Sequence, residues 1–116
     1  MTRSDSFYAN IWIAGSAADA ERLCRDYCNR VGLCVTVTPT VFIYTGGAQS
    51  GVLVRLFNYP KFPAERDSIR DKARDLAEHL RQGLYQESFS VEFPDVTEWV
   101  DLTSVSRSSL HPEATP

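Results

Sequence analysis

The chain has 116 residues, of which 43% are hydrophobic and 23% charged; this composition suits one soluble folded domain and leaves no room for a second core. A domain of this length buries about two thirds of its unfolded surface, enough for a packed core without disulfide or metal staples. Twelve basic and fifteen acidic residues give a net charge of −3, which argues against duplex nucleic acid or an anionic membrane as a partner.

No apolar run approaches the ~20 residues needed to cross a bilayer. Residues 1–6 are polar, expected to be disordered, and followed by no hydrophobic signal segment, so a cytoplasmic setting is expected. The cysteines Cys24, Cys28 and Cys34 are odd in number and close in sequence, which fits a reducing compartment better than a disulfide framework.

Phe7 to Ala14 reads as a strand, with Ala9, Ile11 and Ile13 on one face and Tyr8, Asn10 and Trp12 on the other. Gly15 ends it. Ser16 followed by Asp19 is a capping-box-like start, and Ala20, Leu23, Cys24, Tyr27, Cys28 and Val31 then recur at helical spacing until Gly32. From Leu33 the period changes to two: Leu33, Val35, Val37, Val41 and Ile43 share one face, and Thr36, Phe42 and Tyr44 the other. Pro39 cannot donate to a ladder, which places this strand at an edge or on a bulge.

Residues 46–51 are expected to form a turn, and Val52 to Tyr59 resumes the alternation, which makes the two strands a hairpin. Pro60 and Pro63 stiffen the exit from it. A second helix follows, with Ile69, Ala73, Leu76, Ala77, Leu80 and Leu84 as its apolar stripe and charges of alternating sign on its other side. Ser88 to Phe93 is a strand with Phe89, Val91 and Phe93 inward. Val96 to Leu102 either adds a short edge strand or packs Trp99 over a gap. Residues 103–116 are rich in Ser and Pro and are expected to form a flexible tail, leaving 7–102 as a single domain.

The order strand, helix, strand, strand, helix, strand predicts an α+β, ferredoxin-like βαββαβ sandwich with both helices on one face of an antiparallel sheet. The uncovered face would then carry Tyr8, Asn10, Trp12, Leu53, Arg55, Phe57 and Tyr59, with Phe42 and Tyr44 beside them. So aromatic a face requires cover in water. A homodimer or larger homo-oligomer, the segment around Trp99, a base-stacking ligand with Arg55 meeting its phosphate or carboxylate, and a docked protein each satisfy that requirement.

Other chemistry is thinly represented. Cys24 and Cys28 lie within the apolar stripe and lack the second pair that a zinc knuckle needs, so core packing accounts for them and no metal is expected. His79 is expected to face solvent, and neither it nor His111 has the spaced partners of a nucleophilic triad. Glu92, Asp95 and Glu98 would gather carboxylates near one sheet end, which an exposed strand or turn explains equally. Tyr44, Thr45, Gly46 and Gly47 offer backbone N–H groups, but between strands rather than before a helix, which fits a hairpin turn. A contact with ligand stays open for that loop because Arg55, Asn58 and Lys61 lie on the strand leaving it. No catalytic residue and no cofactor is assigned.

The element order resembles the RNA recognition motif, which also places aromatic residues on its two central strands. The strand from Val52 to Tyr59 lacks that family's basic-Gly-aromatic pattern, and the acidic charge opposes a long RNA backbone more than a short or cyclic nucleotide. The strings Ala9-Asn10-Ile11-Trp12-Ile13-Ala14-Gly15, Gly32-Leu33-Cys34-Val35, Tyr44-Thr45-Gly46-Gly47 and Asn58-Tyr59-Pro60-Lys61-Phe62-Pro63 resemble those of short accessory proteins of tailed phages and prophages, over roughly residues 7 to 100.

That resemblance implies an accessory protein acting in the cytoplasm of a bacterial host, countering its defences by blocking a host protein or sequestering a nucleotide signal. The expectation is therefore a non-enzymatic binder that captures a host protein or small nucleotide. Its contact residues would be Tyr8, Trp12, Tyr44, Gly46, Gly47, Arg55, Phe57, Asn58, Tyr59 and Lys61. A small enzyme with its site between subunits and a structural phage oligomer component are the alternatives.

Overall fold

The computed structural model describes residues 1–102; the tail expected over 103–116 lies outside them. Seven elements follow in order: β1 (Tyr8–Ala14), α1 (Ala17–Val31), β2 (Thr36–Tyr44), β3 (Gly47–Phe57), α2 (Arg66–Gly83), β4 (Ser88–Glu92) and β5 (Thr97–Asp101). They build an antiparallel five-stranded sheet of order β2-β3-β1-β4-β5, with the helices on one face. This is the expected ferredoxin-like arrangement, extended at the β4 edge by the short strand anticipated around Trp99.

Local chemistry sets the boundaries. The Ser16 hydroxyl accepts the Asp19 N–H at 3.3 Å and so satisfies an orphan donor at the start of α1. Gly32, with φ 73°, ends that helix in the left-handed conformation and returns its N–H to the Cys28 carbonyl. Pro39 sits in β2, an edge strand, where its missing donor costs no inner ladder bond.

The core is the shared filling of two helix stripes and one sheet face. Ile11, Ile13, Val52, Val54 and Leu56 from the sheet meet Leu23, Tyr27, Ile69, Leu76 and Leu80 from the helices, all buried. Cys24 belongs to this core, and burial, followed by the charge of Cys28, pushes its thiol up to about 12. Cys34 is exposed. Among the described residues no cluster of His, Cys, Asp or Glu is arranged to hold a metal.

Four details depart from the sequence reading. The hairpin turn is tighter than residues 46–51, because Gly46 adopts φ 86° and lets Gly47 pair with Tyr44 at once. The hairpin then runs past β1, whose pairing with β3 stops at Gly51, so Val41 and Ile43 escape the helices and are 57% and 83% exposed. His79 does not face open water: its ring lies 5.9 Å from that of Tyr27, and its Nε2 is buried with no partner among the described residues.

The three carboxylates, finally, are split between the two faces. Asp95 accepts from Arg66 and Arg70, and Glu98 takes both Nε and Nη2 of Arg74 at 2.9 Å, tying α2 to the β4–β5 hairpin on the helix side. Glu92 alone turns to the open face.

Candidate active site

Strand alternation sends Tyr8, Asn10 and Trp12 away from the helices, and pairing arranges them into rows across the sheet. Tyr8 faces Phe57. Asn10 lies between Arg55 on β3 and Glu92 on β4, and Trp12 lies between Leu53 and Ser90, with Trp99 beyond. The middle row is charged and its neighbours are aromatic.

Glu92 is the fixed point of this surface. The Trp12 indole N–H donates to its Oε1 at 3.0 Å, and the Asn10 amide donates to the same oxygen at 3.2 Å. These bonds, the indole's first, outweigh partial desolvation and hold the Glu92 carboxyl below the usual carboxylate range, with the Arg55 charge adding in the same direction. The group is therefore an anion at neutral pH. Among the described residues no donor reaches its Oε2. Asn10 is only 9% exposed, and its Oδ1 is buried with no partner among the described residues.

Aromatic rings extend from Trp12 across this face. Trp12 and Phe42 meet edge to face at 6.4 Å, and Arg55 lies over the Tyr8 ring at 5.1 Å. A groove of about 490 Å³ is lined by Trp12, Phe42, Tyr85, Ser90 and Trp99, the last 65% exposed, and it is joined to Glu92 through Trp12. A second hollow of about 520 Å³ lies by Tyr8, Thr36, Arg55 and Phe57. Both volumes are in the range of small-molecule sites, about 300–1,000 Å³.

Of the sequence-predicted contact residues, Tyr8, Trp12, Arg55 and Phe57 come together on this face. Tyr59 stacks on Phe57 at 4.0 Å, and its hydroxyl accepts from the Cys34 thiol at 3.5 Å. Tyr44, Gly46 and Gly47 form the hairpin tip, about 26 Å from Thr36 at ~3.3 Å per residue along the strand. Asn58 is buried, and its amide joins two segments: it donates to the Asp5 carbonyl and accepts the Ala64 N–H. The Lys61 ammonium rests over the Phe62 ring, 5.5 Å away, in the exit loop. Asn10, Glu92 and Trp99 were absent from the predicted contact set, although parity along β1 and β4 already placed the first two beside Trp12 and opposite Val91.

No family model matches the chain, and no curated protein matches it. Solved structures do. A phage SAM lyase in the apo state superposes with a TM-score of 0.68 over 87% of this chain and 94% of that one, at 19% identity. A phage SAM lyase in complex with S-methyl-5'-thioadenosine gives 0.62 over 87% and 93%, at 16% identity. The expectation of a non-enzymatic binder is overturned by these matches, since both are structures of an enzyme. At such low identity the likeness establishes the fold: this chain has the fold of those phage lyase structures.

Proposed function

We propose that the chain is a lyase acting on a sulfonium nucleoside of the S-adenosylmethionine class, with S-methyl-5'-thioadenosine as its nucleoside product. What supports this reading is the ionised Glu92, anchored by Asn10 and by the same Trp12 that lines an aromatic groove, on a fold shared with a phage SAM lyase. A sulfonium is a cation without hydrogen-bond donors on sulfur. It is recognised by a nearby carboxylate and by ring faces, and both stand on this surface.

In this scheme Trp12 and Trp99 flank the purine, and Glu92 holds the sulfonium. Heterolysis of the C–S bond leaves both electrons on sulfur and turns the cation into a neutral thioether. The departing 3-amino-3-carboxypropyl fragment settles its charge by giving a proton from its carbon chain to the Glu92 carboxylate, or by closing on its own carboxylate, without taking up water. Once the positive charge has left sulfur, its attraction to Glu92 is gone, which favours product release. In place of the small nucleotide that the sequence reading expected to be captured, a nucleoside is cleaved, and the bacterial host cytoplasm is the setting we propose for it.

Self-association belongs to the same proposal. Val41, Ile43 and Tyr44 project on a hairpin arm beyond the sheet centre and fit burial against a second copy.

The deciding experiment incubates the purified chain with S-adenosylmethionine and follows S-methyl-5'-thioadenosine by chromatography. The wild type should release it, and Glu92→Gln should lower the rate about a hundredfold while leaving the fold intact. A wild-type chain that leaves the sulfonium untouched overturns the reading.

A further inference from the structure

A third cavity, of about 420 Å³, lies at the opposite end of the domain from the groove at Trp99, where the end of α1, the end of β3 and the start of α2 converge. Its walls are mostly apolar: Leu33, Phe57, Tyr59, Phe62, Pro63 and Ile69. It is also built in advance. The Phe57 and Tyr59 rings pack at 4.0 Å with 37° between their planes, and the Cys34–Tyr59 bond joins two walls. Asn58 clamps the loop carrying the third by accepting the Ala64 N–H at 2.9 Å. Phe62, 71% exposed at the rim, carries the Lys61 ammonium 5.5 Å from its ring.

One charged side chain lines this cavity, that of Lys72. On the same helix Arg66, Arg70, Arg74 and Arg81 each meet a carboxylate, whereas Lys72 forms no ion pair among the described residues. Lys72, a half-buried residue of this lining, lacks a counter-charge that a ligand can bring.

We propose that this cavity is a second ligand site, separate from the Glu92 surface, and that it takes a planar aromatic monocarboxylate, with its ring against Phe57, Tyr59 and Pro63 and its carboxylate on Lys72. The shape of the charge selects the class. The single ammonium of the lining, with that of Lys61 outside it over Phe62, matches one compact negative charge, while a phosphate dianion calls for several convergent donors or a guanidinium fork, and the lining supplies neither. Rings rather than flexible chains suit a rigid cavity walled by aromatic residues and proline.

The test uses the full chain and 2-naphthoate, with the uncharged 2-naphthamide as control, read by calorimetry and by NMR of the Leu33 and Ile69 methyl groups. The carboxylate should bind saturably and move both methyl signals. Lys72→Met should weaken it about tenfold, to the level of the amide, with amide binding unchanged. Lys72→Arg should restore most of the affinity, which separates lost charge from lost folding. Absence of saturable binding, equal affinity for acid and amide, or shifts confined to Trp12 and Trp99 would each overturn the proposal. Release of S-methyl-5'-thioadenosine is assayed independently, so the two sites stand or fall separately.

Discussion

The two faces of the central strands carry the same backbone and opposite chemistry. On β1, Ala9, Ile11 and Ile13 are buried beneath the helices, while Tyr8, Asn10 and Trp12, one residue out of step, line the open side. On β3, Val52, Val54 and Leu56 oppose Leu53, Arg55 and Phe57 in the same way. A single period-two ladder thus separates the groups that stabilise the fold from those placed to meet a ligand, and substitutions on the two sides should have different consequences.

The largest effect should come from the covered face. Ile11→Ala empties space in a filled core and should cost about 2–5 kcal/mol in denaturant unfolding. Its neighbour Trp12→Ala should unfold close to the wild type yet lose release of S-methyl-5'-thioadenosine by about a hundredfold, like Glu92→Gln. If Trp12→Ala proved as destabilising as Ile11→Ala, the division between the faces would fail.

A pH series sharpens the same contrast. The Glu92 carboxyl titrates below its unfolded value, so the stability it contributes is present above the ordinary carboxylate range and is lost as pH falls through the folded value. Activity should accordingly hold from neutral pH through the ordinary range and decline only below it, and Glu92→Gln should flatten the acid slope of the unfolding curve. On the covered side Tyr27 behaves oppositely. Burial, then its bond to Asp75, pushes its phenol up to about 12, so its contribution is intact below ~10 and lost as pH climbs toward that value. Tyr27→Phe should remove about 1 kcal/mol at neutral pH.

The smallest effect on stability should come from the arm that neither face covers. Ile43→Asp should change the unfolding free energy by less than about 0.5 kcal/mol. It should nonetheless shift sedimentation at high concentration toward the monomer. A wild-type chain that sediments as a monomer at every concentration would remove the oligomer from the proposal.

Much of this was legible in one dimension because it rests on periodicity. The alternation of β1 and β3, the stripes from Ala20 to Val31 and from Ile69 to Leu84, and the capping signals at Ser16 and Gly32 are local, and the fold follows from their order. The site was legible only by side. Parity put Tyr8, Trp12, Arg55 and Phe57 on the open face, and Glu92 opposite Val91, but no local signal told which partners Glu92, Asp95 and Glu98, three acids within seven positions, would meet. Antiparallel pairing of β1 with β4 gave Glu92 the indole of Trp12, while α2 took the other two.

Sequence by itself determined which residues of β1, β3 and α2 face the core, because burial of an apolar stripe admits one phase of each period. It did not determine which strand positions become neighbours, since register between β1 and β4 depends on how two chain segments some eighty residues apart are docked by the helices between them. That docking placed an anchored anion amid aromatic rings, let the hairpin overrun the core, and set Lys72 at the edge of an apolar cavity. Each of these is a meeting of distant segments, which only the packed tertiary structure decides.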